Sequence, residues 1–208
     1  MTSPASPSRY PFLHDPTLTR ISLYPGDHVV VSDSNSLLTT VLGSCIAVCL
    51  FDPQRRVCGM NHFMLSEASH RDDRLLHSEA GRYGVYAMEL LINGLMQQGA
   101  SRSQLRAKVF GGAALFGQQS ATPQTSIGLL NVRFVEDFLR REGIPVIGQA
   151  VGGNQGRVIY FLSSSYSVYV RSIAHNRGQQ LQSQETAYQR ALRRLRAQAD
   201  NSVTLWRD

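Results

Sequence analysis

No apolar run in this chain approaches the roughly 20 residues that a membrane-spanning helix needs. The N-terminus also lacks the basic-then-apolar order of a secretory signal, so the cytoplasm is the expected address. Cysteine is scarce. The three present, an odd number, suit reduced thiols better than a disulfide framework. Helix-turn-helix, zinc-finger and aromatic–basic strand motifs are missing as well. That absence matters because the formal net charge is +6, and a basic balance can signal nucleic acid, an acidic membrane surface or acidic protein partners. The excess is concentrated toward the C-terminal tail, which argues against a central nucleic-acid site. Neither nucleic acid nor direct membrane insertion is expected.

What is present describes an ordinary globular domain. With 208 residues, 42% of them hydrophobic, the chain supports one sizeable core. Residues 1–20, with Ser, Pro and Thr and little periodicity, read as a flexible leader. Short strand-like runs follow at His28–Val31 and Leu37–Thr40, separated by the turn-forming Ser32-Asp33-Ser34-Asn35-Ser36. The polar stretch 68–75 reads as a solvent loop. Val85, Met88, Leu91, Leu95 and Met96 recur at helical spacing and predict a helix over 79–98 ending at Gly99. A strand over 104–110 ends in Gly111-Gly112, a bend at a strand end. A second helix is predicted over 129–142, then strands at 144–151, 158–162 and 166–173, with Gly152 to Gly156 as a hairpin turn. The basic residues 183–199 read as a peripheral helix within an extension over 174–208. The fold class is α+β: a single domain over 21–173 with largely antiparallel sheet layers and two main helices packed on them.

The chain is organised around Leu42 to Phe63, two apolar strands about the turn signal Asp52-Pro53. Folding this hairpin about the Pro53/Gln54 midpoint sets Asp52 against Arg55, Cys49 against Cys58 and Cys45 against His62. Directly opposed residues have Cβ atoms about 4.5–5.5 Å apart, which brings a thiol and an imidazole together as a nucleophile–base pair. A competing reading takes Cys45, Cys49, Cys58 and His62 as a zinc cluster. Residues four apart on a strand lie ~13 Å apart, whereas sulfurs ~2.3 Å from one zinc sit only ~4 Å from each other. No metal and no cofactor are expected. Cys49 and Cys58 are expected as buried thiols.

Leu42-Gly43-Ser44-Cys45, Asp52-Pro53 and Gly59-Met60-Asn61-His62-Phe63-Met64-Leu65 together resemble the chemoreceptor glutamine deamidase family, CheD. The likeness continues through Arg82-Tyr83, Ala107 to Ala113, Ile127-Gly128, Asn131, Arg141 to Val146 and Val151 to Arg157, and so covers roughly 21–171. The resemblance implies that Cys45 is the nucleophile and His62 the base. It implies that Thr39, six residues before the cysteine, orients the histidine; Thr40 is adjacent. It also implies glutamine side chains on the cytoplasmic part of chemoreceptors as substrate, methyl glutamate esters as a second substrate, and a CheC-type phosphatase as a partner.

Backbone N–H groups around Gly43, Ser44 and Cys45 are the candidate oxyanion donors, since Gly43 relaxes the local backbone. The rival function from another class is a docking module that binds receptors or the phosphatase without turning over.

Overall fold

The computed structural model describes residues 10–65, 79–114 and 126–173, together with residues 183, 185–188, 190 and 191 of the tail, which are helical. The elements run β1 (Thr19–Ser22), β2 (His28–Val31), β3 (Ser36–Leu42), β4 (Ile46–Asp52), β5 (Val57–Phe63), α1 (Glu79–Gln97), β6 (Arg106–Gly111), α2 (Ile127–Arg141), β7 (Val146–Val151), β8 (Arg157–Leu162) and β9 (Val168–Ser172). The expected loop at 68–75 lies outside the described residues.

The strands form two sheets, ordered β1-β3-β8-β9 and β2-β5-β4-β6-β7. Pairing is antiparallel except for β1 with β3 and β6 with β7. The α+β class with largely antiparallel sheets therefore holds, and the packing makes three layers. Period-two alternation assigns the faces. On β4, Ile46, Val48 and Leu50 join the core under α1 and α2. Ala47, Cys49 and Phe51 turn the other way and meet Leu38, Leu42, Ile159 and Phe161 of the four-stranded sheet. Both faces of β4 and β5 are covered, and every residue of the two strands is buried. That double burial explains why β4 reads as one continuous apolar run.

The helices follow the spacing of their apolar residues. Met88, Leu91, Ile92 and Leu95 of α1 are buried, while Met96 falls off the stripe and is 44% exposed. Ser126 caps α2, its Oγ accepting from the Leu129 N–H at 3.2 Å, and Arg140 and Arg141 stand in the last turn. Both features suit the helix dipole.

Three expectations need correction. The β4–β5 hairpin opposes Asp52 to Val57, Cys49 to Met60 and Ala47 to His62, so its midpoint lies one residue later than Pro53/Gln54. The cause is Asp52, whose Oδ1 accepts from the N–H groups of Gln54 and Arg55 and closes a four-residue loop. The slip displaces partners by two, so the faces survive. The Gly152 to Gly156 segment is not a hairpin turn. It carries the chain from β7 in one sheet to β8 in the other, and Arg157 ties it down by donating to the carbonyls of Ala150 and Gly152.

Residues 1–20 are placed in the leader by composition, but Tyr10, Phe12, Leu13 and Leu18 pack on the outer face of the four-stranded sheet, and Thr19 and Arg20 begin its strand β1. Phe12 is buried there with Leu37 and Tyr160, its ring 4.6 Å from that of Tyr169. Truncating a buried Phe costs about 3 kcal/mol. Phe12→Ala is therefore expected to lower the unfolding free energy by about that much in urea titrations at neutral pH. A disposable leader would change it by less than about 0.5 kcal/mol.

Candidate functional site

Gly43, Ser44 and Cys45 form the bend between β3 and β4, where the chain passes from one sheet to the other. Three successive carbonyls of this bend are held from outside. Gly43 O accepts from the Ala113 N–H at 2.7 Å, Ser44 O from Asn131 Nδ2 at 2.7 Å, and Cys45 O from the Gly112 N–H at 2.8 Å. A trans peptide points its N–H opposite its carbonyl. Anchoring the Gly43 and Ser44 carbonyls on the segment just after β6 and on α2 therefore turns the Ser44 and Cys45 N–H groups the other way. With the Gly43 N–H they form a concave set of donors, an anion nest.

Gly111 makes the anchoring work. Its φ of +111° is open to glycine, and a Cβ there would overlap the Cys45 carbonyl oxygen. The glycine pair after β6 is thus a bend at a strand end, as expected, and it also supports the bend that carries Cys45. Asn131 holds the other side, its Oδ1 accepting from the Leu65 N–H at 2.8 Å.

The nest holds a carboxylate from the tail. Glu185 Oε1 accepts from the N–H of Gly43 at 3.0 Å and of Cys45 at 3.4 Å. Its Oε2 accepts from the Ser44 N–H at 3.0 Å and the Ser44 Oγ–H at 2.6 Å. Glu185 is 7% exposed. Burial first, and then this carboxylate, push the Cys45 thiol well above its usual range. The tail helix is accordingly not peripheral where it is described.

His62 lies on the same face of the sheet as Cys45, in the layer between the sheets. With the corrected register the two are diagonal rather than opposed. The ring is positioned by a threonine of β3, and that threonine is Thr40, not Thr39. Thr40 Oγ1 lies 2.8 Å from His62 Nδ1 and donates to Leu23 O at 2.7 Å. A hydroxyl has one proton. With it given to Leu23, the Thr40 oxygen accepts from Nδ1–H, and Nε2 carries the lone pair. Nε2 is buried and has no hydrogen-bond partner among the described residues.

Thr39 points elsewhere, donating to Ile159 O of β8 at 2.9 Å. Strand parity is the reason: Thr40 shares a face with Leu38 and Leu42, while Thr39 shares the opposite one with Leu37. That alternation was the sequence signal for the correct threonine. Asn131 had one too, as a buried polar residue on an otherwise apolar helix face. Glu185 and Tyr188, in a Gln- and Arg-rich tail, had none.

Cys49 and Cys58 are free buried thiols, and burial pushes Cys58 up to about 12. Among the described residues no three His, Cys, Asp or Glu side chains gather as metal ligands.

Burial is also the first cause that brings His62 down to about 4, against the opposing pull of the Leu23 carbonyl and Asp27. The ordinary value is 6.5. The imidazole's contribution to stability is therefore complete above about pH 6.5 and lost as the pH falls through about 4. That gap is worth about 3 kcal/mol. Between pH 7 and 4 the native protein is expected to lose about 3 kcal/mol more unfolding free energy than His62→Gln. Parallel urea titrations of the two proteins read the difference.

Residues 64–172 match the family model described as CheD chemotactic sensory transduction. The chain is 45% identical over 159 residues to the probable chemoreceptor glutamine deamidase CheD 2 of Shewanella oneidensis, covering 76% of this chain and 78% of that protein. It is 47% identical over 157 residues to the probable chemoreceptor glutamine deamidase CheD 1 of Geobacter sulfurreducens, covering 74% and 77%. To the probable chemoreceptor glutamine deamidase CheD 1 of a Ruegeria species it is 43% identical over 188 residues, covering 89% and 95%. Among solved structures, the hypothetical protein YfiH of Bacillus licheniformis aligns at 17% identity over 60% of this chain and 50% of that one, with a TM-score of 0.36. With the family model spanning more than half of its length and these relatives matched over most of theirs, the chain belongs to the CheD family.

Proposed function

We propose that this chain is a cytoplasmic chemoreceptor glutamine deamidase in which Cys45 is the nucleophile, His62 the general base and Thr40 the residue that positions it. The observation that carries the reading is the nest of Gly43, Ser44 and Cys45 N–H groups built directly at a cysteine. The relatives' names supply the substrate class, and no described helix is long and apolar enough to cross a membrane.

A primary amide is a poor electrophile with a poor leaving group, and covalent catalysis divides the difficulty into two steps. His62 Nε2 takes the Cys45 thiol proton as the sulfur attacks the side-chain Cδ of a glutamine. The carbonyl oxygen becomes an oxyanion against the nest, whose donors need no reorganisation because their carbonyl ends are already fixed. The imidazolium returns its proton to the departing nitrogen, and ammonia leaves a thioester. Water, deprotonated by the same Nε2, then attacks the thioester carbon. Glutamate is released and the thiol is restored. A methyl glutamate ester enters the same cycle with methanol as the leaving group.

Thr40 acts through the ring. Its oxygen accepts from Nδ1–H, which fixes the tautomer and favours the imidazolium as it forms. A hydrogen bond to a charged group is worth roughly 1.5–3 kcal/mol, so Thr40→Val is expected to lower the turnover rate about ten- to hundredfold. Thr39→Val, which loses one neutral bond to Ile159 O, is expected to stay within about threefold.

The assay is mass spectrometry of a chemoreceptor cytoplasmic fragment, following conversion of glutamine to glutamate, with Cys45→Ala and His62→Ala as controls. Conversion is expected with the native protein and lost in both controls. Conversion surviving Cys45→Ala would overturn the nucleophile. Binding without conversion across a panel of receptors would favour a docking module.

A further inference from the structure

The side chain seated at Cys45 is a glutamate, which is the group a deamidated glutamine becomes. It arrives from a helix, on residues 183, 185–188, 190 and 191. Its two oxygens together accept four hydrogen bonds from the nest and Ser44 Oγ. A second contact lies one turn on. Tyr188 Oη is 2.9 Å from Tyr83 Oη of α1, and a Cβ on Gly26 would come within 3.0 Å of that hydroxyl. Gly26 also donates to the His62 carbonyl at 2.8 Å, so this platform is built on the strand that carries the proposed base. Glu185 and Tyr188 both line a cavity of about 480 Å³ into which His62 and Thr40 open. At its rim stand Tyr24 and Val41, 70% and 43% exposed.

We propose that the C-terminal helix is a tethered product mimic. It occupies a groove that binds helical segments by one glutamine or glutamate side chain in the nest and one residue, three positions later, against Tyr83 and Gly26. The inference rests on the deamidase reading and deepens it. The substrate helix lies where the tail lies, and Tyr83 is a specificity-determining contact. The tail must leave before a receptor enters. While it stays, Glu185 fills the donors an oxyanion needs and its negative charge opposes formation of the Cys45 thiolate.

The mimic fits product better than substrate. A carboxylate accepts all four bonds, whereas a carboxamide accepts only at its oxygen. Ser44 Oγ turns to accept from the amide nitrogen, but the Ser44 N–H then faces a second donor. Glu185→Gln is therefore expected to weaken the occupancy without moving the helix, and it makes the tail a substrate. Cys45 sulfur would attack the introduced carboxamide carbon, the carbon–nitrogen bond would break with release of ammonia, and water would cleave the thioester. The net change is addition of one water and loss of one ammonia, which regenerates glutamate at position 185.

Two full-length variants test this. Purified Glu185→Gln is incubated alone and followed by peptide mass spectrometry at position 185. Conversion to glutamate is expected, with a first-order rate independent of protein concentration, and it is expected to be absent in the double variant carrying Cys45→Ala. Glu185→Ala is assayed on a receptor fragment below saturation, where a rise of at least about tenfold over the native protein is expected, as loss of one charge-assisted bond alone would give. Circular dichroism spectra matching the native protein confirm that each variant is folded.

If the receptor fragment is deamidated but position 185 stays unconverted and Glu185→Ala gives the native rate, the mimic is wrong and the deamidase reading stands. Conversion at 185 that scales with protein concentration would also overturn the tethered arrangement. Failure of both the fragment and position 185 to convert would overturn the deamidase reading and the mimic with it.

Discussion

The site depends on three carbonyls. Because Gly43 and Ser44 spend their oxygens on Ala113 and Asn131, the Ser44 and Cys45 N–H groups have one direction left to face, and the Cys45 oxygen, held by Gly112, pins the end of the bend. Nothing in the bend's own sequence forces that outcome. It is imposed by the end of β6 and the second turn of α2, which are distant in sequence and are brought alongside by the β4–β6 pairing. Donors fixed in this way keep their orientation while a reacting group gains charge, which is where preorganisation gives its advantage over water. The rest of the molecule can be understood as scaffolding for that bend. One sheet delivers Thr40, the other delivers His62, and Cys45 sits at the crossing between them.

Burial sets the resting electrostatics. With the tail in place, Cys45 and His62 are both fully enclosed, and enclosure favours the neutral form of each. In the proposed mechanism, thiol and imidazole start as an acid and a base that have not yet exchanged a proton. A buried carboxylate would itself be costly without partners. Glu185 avoids that cost only through the donors of the nest, so the tail's position and the nest's geometry support each other.

Much of this is legible in the amino-acid sequence. The apolar run of β4, the helical stripe of Met88, Leu91 and Leu95, and the shared sheet face of Cys45 and His62 follow from periodicity and turn chemistry. The errors have physical sources. The hairpin midpoint moved because the Asp52 side chain organised the loop, and only a register slip of two kept Cys45 and His62 on one face. Thr39 was favoured over Thr40 by position in a motif, although the alternation of Leu37, Thr39 and Leu38, Thr40, Leu42 already separated their faces. Phe12 was lost in a segment whose Ser, Pro and Thr content masked one well-packed aromatic. Glu185 was beyond reach because three of its four hydrogen bonds come from backbone groups 140 to 142 residues away, and backbone groups leave no trace in sequence.

Ile173, where the core of the fold ends, and Ser183, in the tail helix, are ten residues apart in the chain. An occupant held on so short a connection presents itself at an effective concentration of order millimolar, whatever the amount of enzyme. On the tethered-mimic reading, a dilute substrate competes against that fixed value and loses. Substrate presented many copies deep at one surface can match it. Such an enzyme responds to how densely its target is gathered rather than to how much of it the cell contains.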